Sequence, residues 1–110
     1  VATSVNTVTD IDTPANTAVL SYAADNDITI TTGAATRVVS GANFKRAVTE
    51  VNTSEADYVR TIAVHDTVDP EEFIQIDMGV PSGILLTSSG VQRRVLYAEL
   101  VDAIENALNG

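Results

Sequence analysis

Residues 28–44, ITITTGAATRVVSGANF, alternate polar and apolar positions, break at a glycine, alternate again and then change period. Residues 85–101, LLTSSGVQRRVLYAELV, say much the same thing a second time. A period of two marks a half-buried strand and a period near 3.6 marks a helix. The doubled phrase therefore constrains the chain to two β-rich units, each closed by a helix. At an offset of 57 residues the halves run in register without a gap: Asp12 meets Asp69, Gly33 meets Gly90, Arg37 meets Arg94, Val38 meets Val95 and Asn52 meets Asn109. Helix positions Phe44, Ala47 and Val51 fall on Val101, Ile104 and Leu108. A unit of about 50 residues cannot hide its apolar surface alone. Each copy is expected to supply half of one core, with the halves related by a pseudo-two-fold.

Within the first half, Val5 to Ile11 alternate up to a turn at Pro14, which cannot donate to a sheet ladder. Strands follow at 17–23, 28–32 and 35–40, with Gly33 supplying the positive φ of a tight hairpin. Ser40 stands where an N-cap belongs, and Phe44, Ala47, Val48 and Val51 take helical spacing up to Asn52 and Thr53. The second half gives strands at 58–66, 72–78, 84–88 and 91–97, then a helix over 98–109. Val91, Val95, Leu100, Ile104 and Leu108 also fit one long helix starting near Ser89, but the β-branched residues and the matched glycine favour hairpin then helix. The expected class is α+β, with helices packed on mainly antiparallel sheet. Residues 1–110 form one domain, with internal repeats over 1–53 and 58–110. The expected core is Ile28, Ile30, Val38, Phe44, Val48, Val51, Ile62, Val64, Ile74, Ile76, Leu85, Val95, Leu100, Ile104 and Leu108.

Composition bounds the function. With 15 acids against 6 bases the net charge is −9, a field that repels phosphate backbones and disfavours nucleic acid as a partner. The acids are dispersed and read as a solubilising surface, with adaptation to high salt as the alternative. No cysteine is present, so disulfides and thiolate metal sites are unavailable. No apolar run approaches the ~20 residues that span a bilayer, and no basic-then-apolar leader opens the chain. A start at Val1 fits a cytosolically made product that has lost its initiator methionine.

Candidate chemistry is sparse. His65, the single histidine, lies beside Asp66, and Ser88 or Ser89 could complete a Ser-His-Asp set. The context TSSGV lacks the G-x-S-x-G of a nucleophile elbow, which favours a structural or surface histidine. Asp10/Asp12, Asp25/Asp27 and Asp69/Glu71/Glu72 fall in turns, where carboxylates bond nearby amides; calcium stays open where two loops converge. An Arg-Asp bridge inside each half, from Arg37 and Arg94 to Asp12 and Asp69, would be structural, and Arg93-Arg94 reads as a solvated pair or a contact to an acidic partner. The glycines form neither a P-loop nor a dinucleotide fingerprint. No catalytic, cofactor-binding or metal residue is assigned, and the chain is expected not to be an enzyme.

The strands rich in Thr, Val, Ala and Asn (TSVNTVTDIDTPANTAVLSY, ITITTGAATRVVSGANF), the acidity and the missing cysteine resemble small virion structural proteins of tailed bacteriophages, such as head decoration (cement) proteins. The resemblance lies in composition and matches no motif, so it carries no site residue. It implies a non-enzymatic subunit made in the host cytoplasm and located in the virion, with a protein lattice or a homo-oligomer as partner and no membrane. Edge strands at 4–11 and 17–23 are the expected glue. The alternatives are a small binding module for carbohydrate or protein, and an enzyme subunit.

Overall fold

The computed structural model describes residues 5–33, 35–53, 61–79 and 83–109. Alternation and turn chemistry make two antiparallel four-stranded meanders. The first comprises β1 (Val5–Thr9), β2 (Thr17–Tyr22), β3 (Asp27–Thr32) and β4 (Ala35–Ser40), in that spatial order, and leads into α1 (Gly41–Asn52). The second comprises β5 (Ile62–His65), β6 (Phe73–Met78), β7 (Ile84–Ser88) and β8 (Val91–Val95), again in order, and leads into α2 (Tyr97–Asn109). The hairpin ahead of α2 excludes the single long helix. Ser40 caps α1, its hydroxyl accepting from the Asn43 amide. Residues 58–60 of the expected fifth strand lie outside the described residues.

The repeat is present, but its offset is 56 residues and not 57. Every buried position on one sheet meets its counterpart at that spacing: Val8 with Val64, Ala18 with Ile74, Leu20 with Ile76, Ile28 with Ile84, Ile30 with Leu86 and Val39 with Val95. The helices agree, Phe44 with Leu100, Ala47 with Ala103, Val48 with Ile104 and Val51 with Ala107. The glycine that suggested 57 belongs to a different hairpin position. Ser89 (φ 51°), the true counterpart of Gly33 (φ 59°), takes the left-handed conformation itself, and Gly90 (φ 81°) follows it. An odd slip exchanges the two faces of every strand. That is why Val38 and Leu85, expected inside, are only half-buried, while Val39 and Leu86 are fully buried. Ile62 and Leu108 pack on the margin of the core and the other eleven expected residues lie within it.

The helices exchange sheets. α1 lies mainly on β5 and β6 of the second repeat, α2 mainly on β1 and β2 of the first, and the helices also touch each other. One continuous core contains residues of both repeats. Gly41 shows how close the approach is: a Cβ there would stand 2.4 Å from Leu108 Cδ2 and 2.9 Å from the Asn26 carbonyl. Residues 17–22 are internal to their sheet, between β1 and β3, so only the first of the two expected edge segments is an edge.

Candidate functional site

Asp10 and Asp66, equivalent at the 56-residue offset, follow the last residues of β1 and β5 and are both buried. Asp10 Oδ1 accepts the amides of Asp12 (2.8 Å) and Thr13 (2.9 Å), closing the turn, and Oδ2 accepts the amide of Arg94 (3.0 Å) in the other repeat. Asp66 does the same with Val68 (2.7 Å), Asp69 (2.9 Å) and, across the repeats, Val38 (2.9 Å). The next residues complete the exchange: the amide of Ile11 donates to the Arg94 carbonyl (2.7 Å) and that of Thr67 to the Val38 carbonyl (2.8 Å). Contacts reciprocated in this way are those of two-fold-related units. Burial pushes both carboxyls up, but the three amides on each outweigh it and hold Asp10 and Asp66 below the ordinary carboxylate value, with the Arg37 charge assisting at Asp66.

The arginines do related work. Arg94 forms a fork on Asp12, Nε to Oδ2 at 3.0 Å and Nη2 to Oδ1 at 2.7 Å. That hydrogen bond holds Asp12 below its ordinary pKa and raises Arg94 above its own. Arg37 reaches Glu72 (2.8 Å) and the hydroxyl of Ser89, while Arg93 Nε donates to the Thr17 carbonyl (3.1 Å). These bonds join the repeats. The bridges expected inside each half, Arg37 to Asp12 and Arg94 to Asp69, are absent among the described residues, because the turns that carry Asp12 and Asp69 overlie the opposite sheet, where Arg94 meets Asp12 and Arg37 meets Glu72. Arg93-Arg94 is not a solvated pair, since both side chains are half-buried and bonded across the repeats.

His65 is exposed on the outer face of its sheet; Nδ1 lies 2.9 Å from the Pro70 carbonyl and its ring 5.8 Å from that of Phe73. Ser88 is buried on the opposite face of the same sheet, Ser89 is held by Arg37, and Asp66 is directed at backbone amides. The structure does not bring these four residues together as a triad. Asp25 takes a positive φ of 53° in the β2–β3 turn, and Asp69 and Glu72 are joined through their backbones in the next repeat's turn. Among the described residues no three His, Asp or Glu side chains converge as a metal would require.

A groove of about 470 Å³ runs between α1 and β5, with Asn43, Arg46 and Glu50 on one wall. Ile62, Ala63, Val64 and His65 all line the other. Consecutive strand residues point to opposite faces, so a wall made by all four is the outer edge of β5 and not one of its faces. No local pattern along the chain marks this groove, since its walls come from different repeats. No helix among the described residues is long and apolar enough to cross a membrane. No known protein family, curated protein or solved structure matches the chain.

Proposed function

We propose that this chain is a non-enzymatic assembly subunit, binding in many copies to a protein lattice such as a virion shell. The contrast among its four sheet edges carries this reading. The outer strands β4 and β8 hold Arg37, Arg93 and Arg94 and are overlaid by the turns that Asp66 and Asp10 organise. The outer strands β1 (VNTVT) and β5 (IAVH) contain no Asp, Glu, Lys, Arg or proline, and no described strand pairs with their outer sides. Unpaired ladder groups recruit other chains unless charge, proline or a covering segment blunts them. Strands with no charge, proline or described partner strand at their outer side, in a chain of net charge −9, are suited to an interface. The choice of a virion as the lattice rests on the resemblance of composition to decoration proteins.

The test is native sedimentation from the cells that make the protein. The expected result is co-migration with a larger protein assembly at several copies per particle, reduced by Thr7→Lys on the β1 edge and unaffected by Gln92→Lys, exposed on β8. Migration as a free monomer, or loss with the Gln92 variant and none with the Thr7 variant, overturns the reading. A second reading, a binding module for carbohydrate or protein, draws on exposed Phe73 beside His65 and on Val68, 79% exposed at the nearby turn. It predicts a free monomer that binds on a glycan or peptide array and loses binding with Phe73→Ala.

A further inference from the structure

The pseudo-two-fold makes the β1 and β5 edges equivalent in backbone, yet the helices beside them differ in charge. Beside β5, α1 presents exposed Asn43 and Arg46. At the same positions of α2, which lies on β1 and β2, stand exposed Glu99 and Asp102. Glu50, the third α1 residue of the groove, is answered by Asn106 in α2. One edge is therefore flanked by a base and an acid, the other by two acids.

Resting on the assembly reading, we infer that the β1 edge of one copy adds to the β5 edge of the next, in the groove along α1, so that copies join head to tail. Pairing β1 with β1 would set Glu99 and Asp102 of one copy against the same acids of its neighbour, and pairing β5 with β5 would bring Arg46 and Glu50 of the two copies together but leave the acids beside β1 without a base. Only the mixed pairing sets Arg46 against Glu99 and Asp102, and like charges facing each other across an interface are the costly arrangement. The strand segments carry no formal charge of their own, so the flanking helices decide the partner. Each copy keeps one edge of each kind, and a contact of this sort closes as a ring or continues as a filament instead of stopping at a dimer.

The experiment is sedimentation equilibrium of the purified full chain across a concentration series at a fixed ionic strength of about 0.1 M. The variants are Arg46→Asp, Asp102→Arg and both together; both positions are exposed, so the fold is retained. The expected result is a wild type that grows past the dimer, single variants that need at least about tenfold higher concentration, and a double variant restored towards wild type. Asp102→Arg is the decisive arm, because it reduces net charge from −9 to −7. If bulk repulsion alone governed association, this variant would associate more strongly. Stronger association of Asp102→Arg, growth that stops at a dimer, or a double variant no better than the singles each overturns the inference while leaving assembly intact. A wild type that stays monomeric also overturns it, and the assembly reading is then judged separately by the particle sedimentation above.

Discussion

Asp10 and Asp66 each bind three backbone amides, two in their own turn and one in the other repeat. An asparagine would keep one oxygen for the turn but aim its NH2 at the amide of Arg94 or Val38, leaving a buried N–H without an acceptor. Asp10→Asn and Asp66→Asn are each expected to cost about 1–3 kcal/mol in urea unfolding, and by similar amounts because the sites are equivalent. Both carboxyls have depressed pKa values in the fold, so their contribution is present above the unfolded value near 3.8 and is lost as pH falls through the lower folded value. Unfolding free energy should be flat in this respect above about pH 5 and fall steadily below pH 4, with a shallower fall in the double asparagine variant. A fall of unchanged steepness would place the acid-sensitive groups elsewhere. From sequence these two residues read as turn formers, which they are; their third bond was illegible because its donor lies 84 or 28 residues away.

At the scale of elements, strands and helices follow the local period closely. The segments 35–40 and 84–88 have the expected bounds, and Ser40 is the expected cap. Inward faces were legible wherever polar and apolar residues alternate, as in FIQIDM, where Ile74 and Ile76 are buried. They were illegible in RVVS and ILLT, because adjacent apolar residues give a period of two no phase. There the turn decides: Ser89 accepts positive φ without being glycine, which shifts the true repeat by one residue. Leu86→Ala should cost about 2–5 kcal/mol as a fully buried deletion. Leu85→Ala, half-buried on the other face, should cost about 1 kcal/mol or less. Equal losses measured by chemical denaturation would contradict the assigned face.

For the whole molecule, the exchange of helices is the dominant fact. Val48 on α1 and Ile104 on α2 are fully buried in one core while each helix rests mainly on the other repeat's sheet. Neither sheet keeps its cover if the other repeat unfolds. Ile104→Ala is expected to cost about 2–5 kcal/mol and to lower hydrogen-exchange protection in both sheets together, with one cooperative thermal transition. Two resolved transitions, or protection lost from the first sheet alone, would show the repeats to be independent. The Cα radius of gyration, 12.7 Å, is close to the ~13 Å of a single compact unit of this length.

The amino-acid sequence determined two β-rich repeats, their hairpins, the Ser40 cap and the helices that close them, because periodicity, turn residues and capping act within a few neighbours along the chain. Tertiary structure alone decided which sheet each helix covers, since Phe44 or Leu100 would be equally well buried on either. It also turned Arg37, Arg93, Arg94, Asp10 and Asp66 from surface charges into ties between repeats. The same long-range packing covers the edges of β4 and β8, leaves those of β1 and β5 without a described partner strand, and brings Arg46 beside a strand of the other repeat. A period read along the chain reports which face of an element is apolar. Which surface meets that face depends on how separate elements fit together in space, and no local pattern records it.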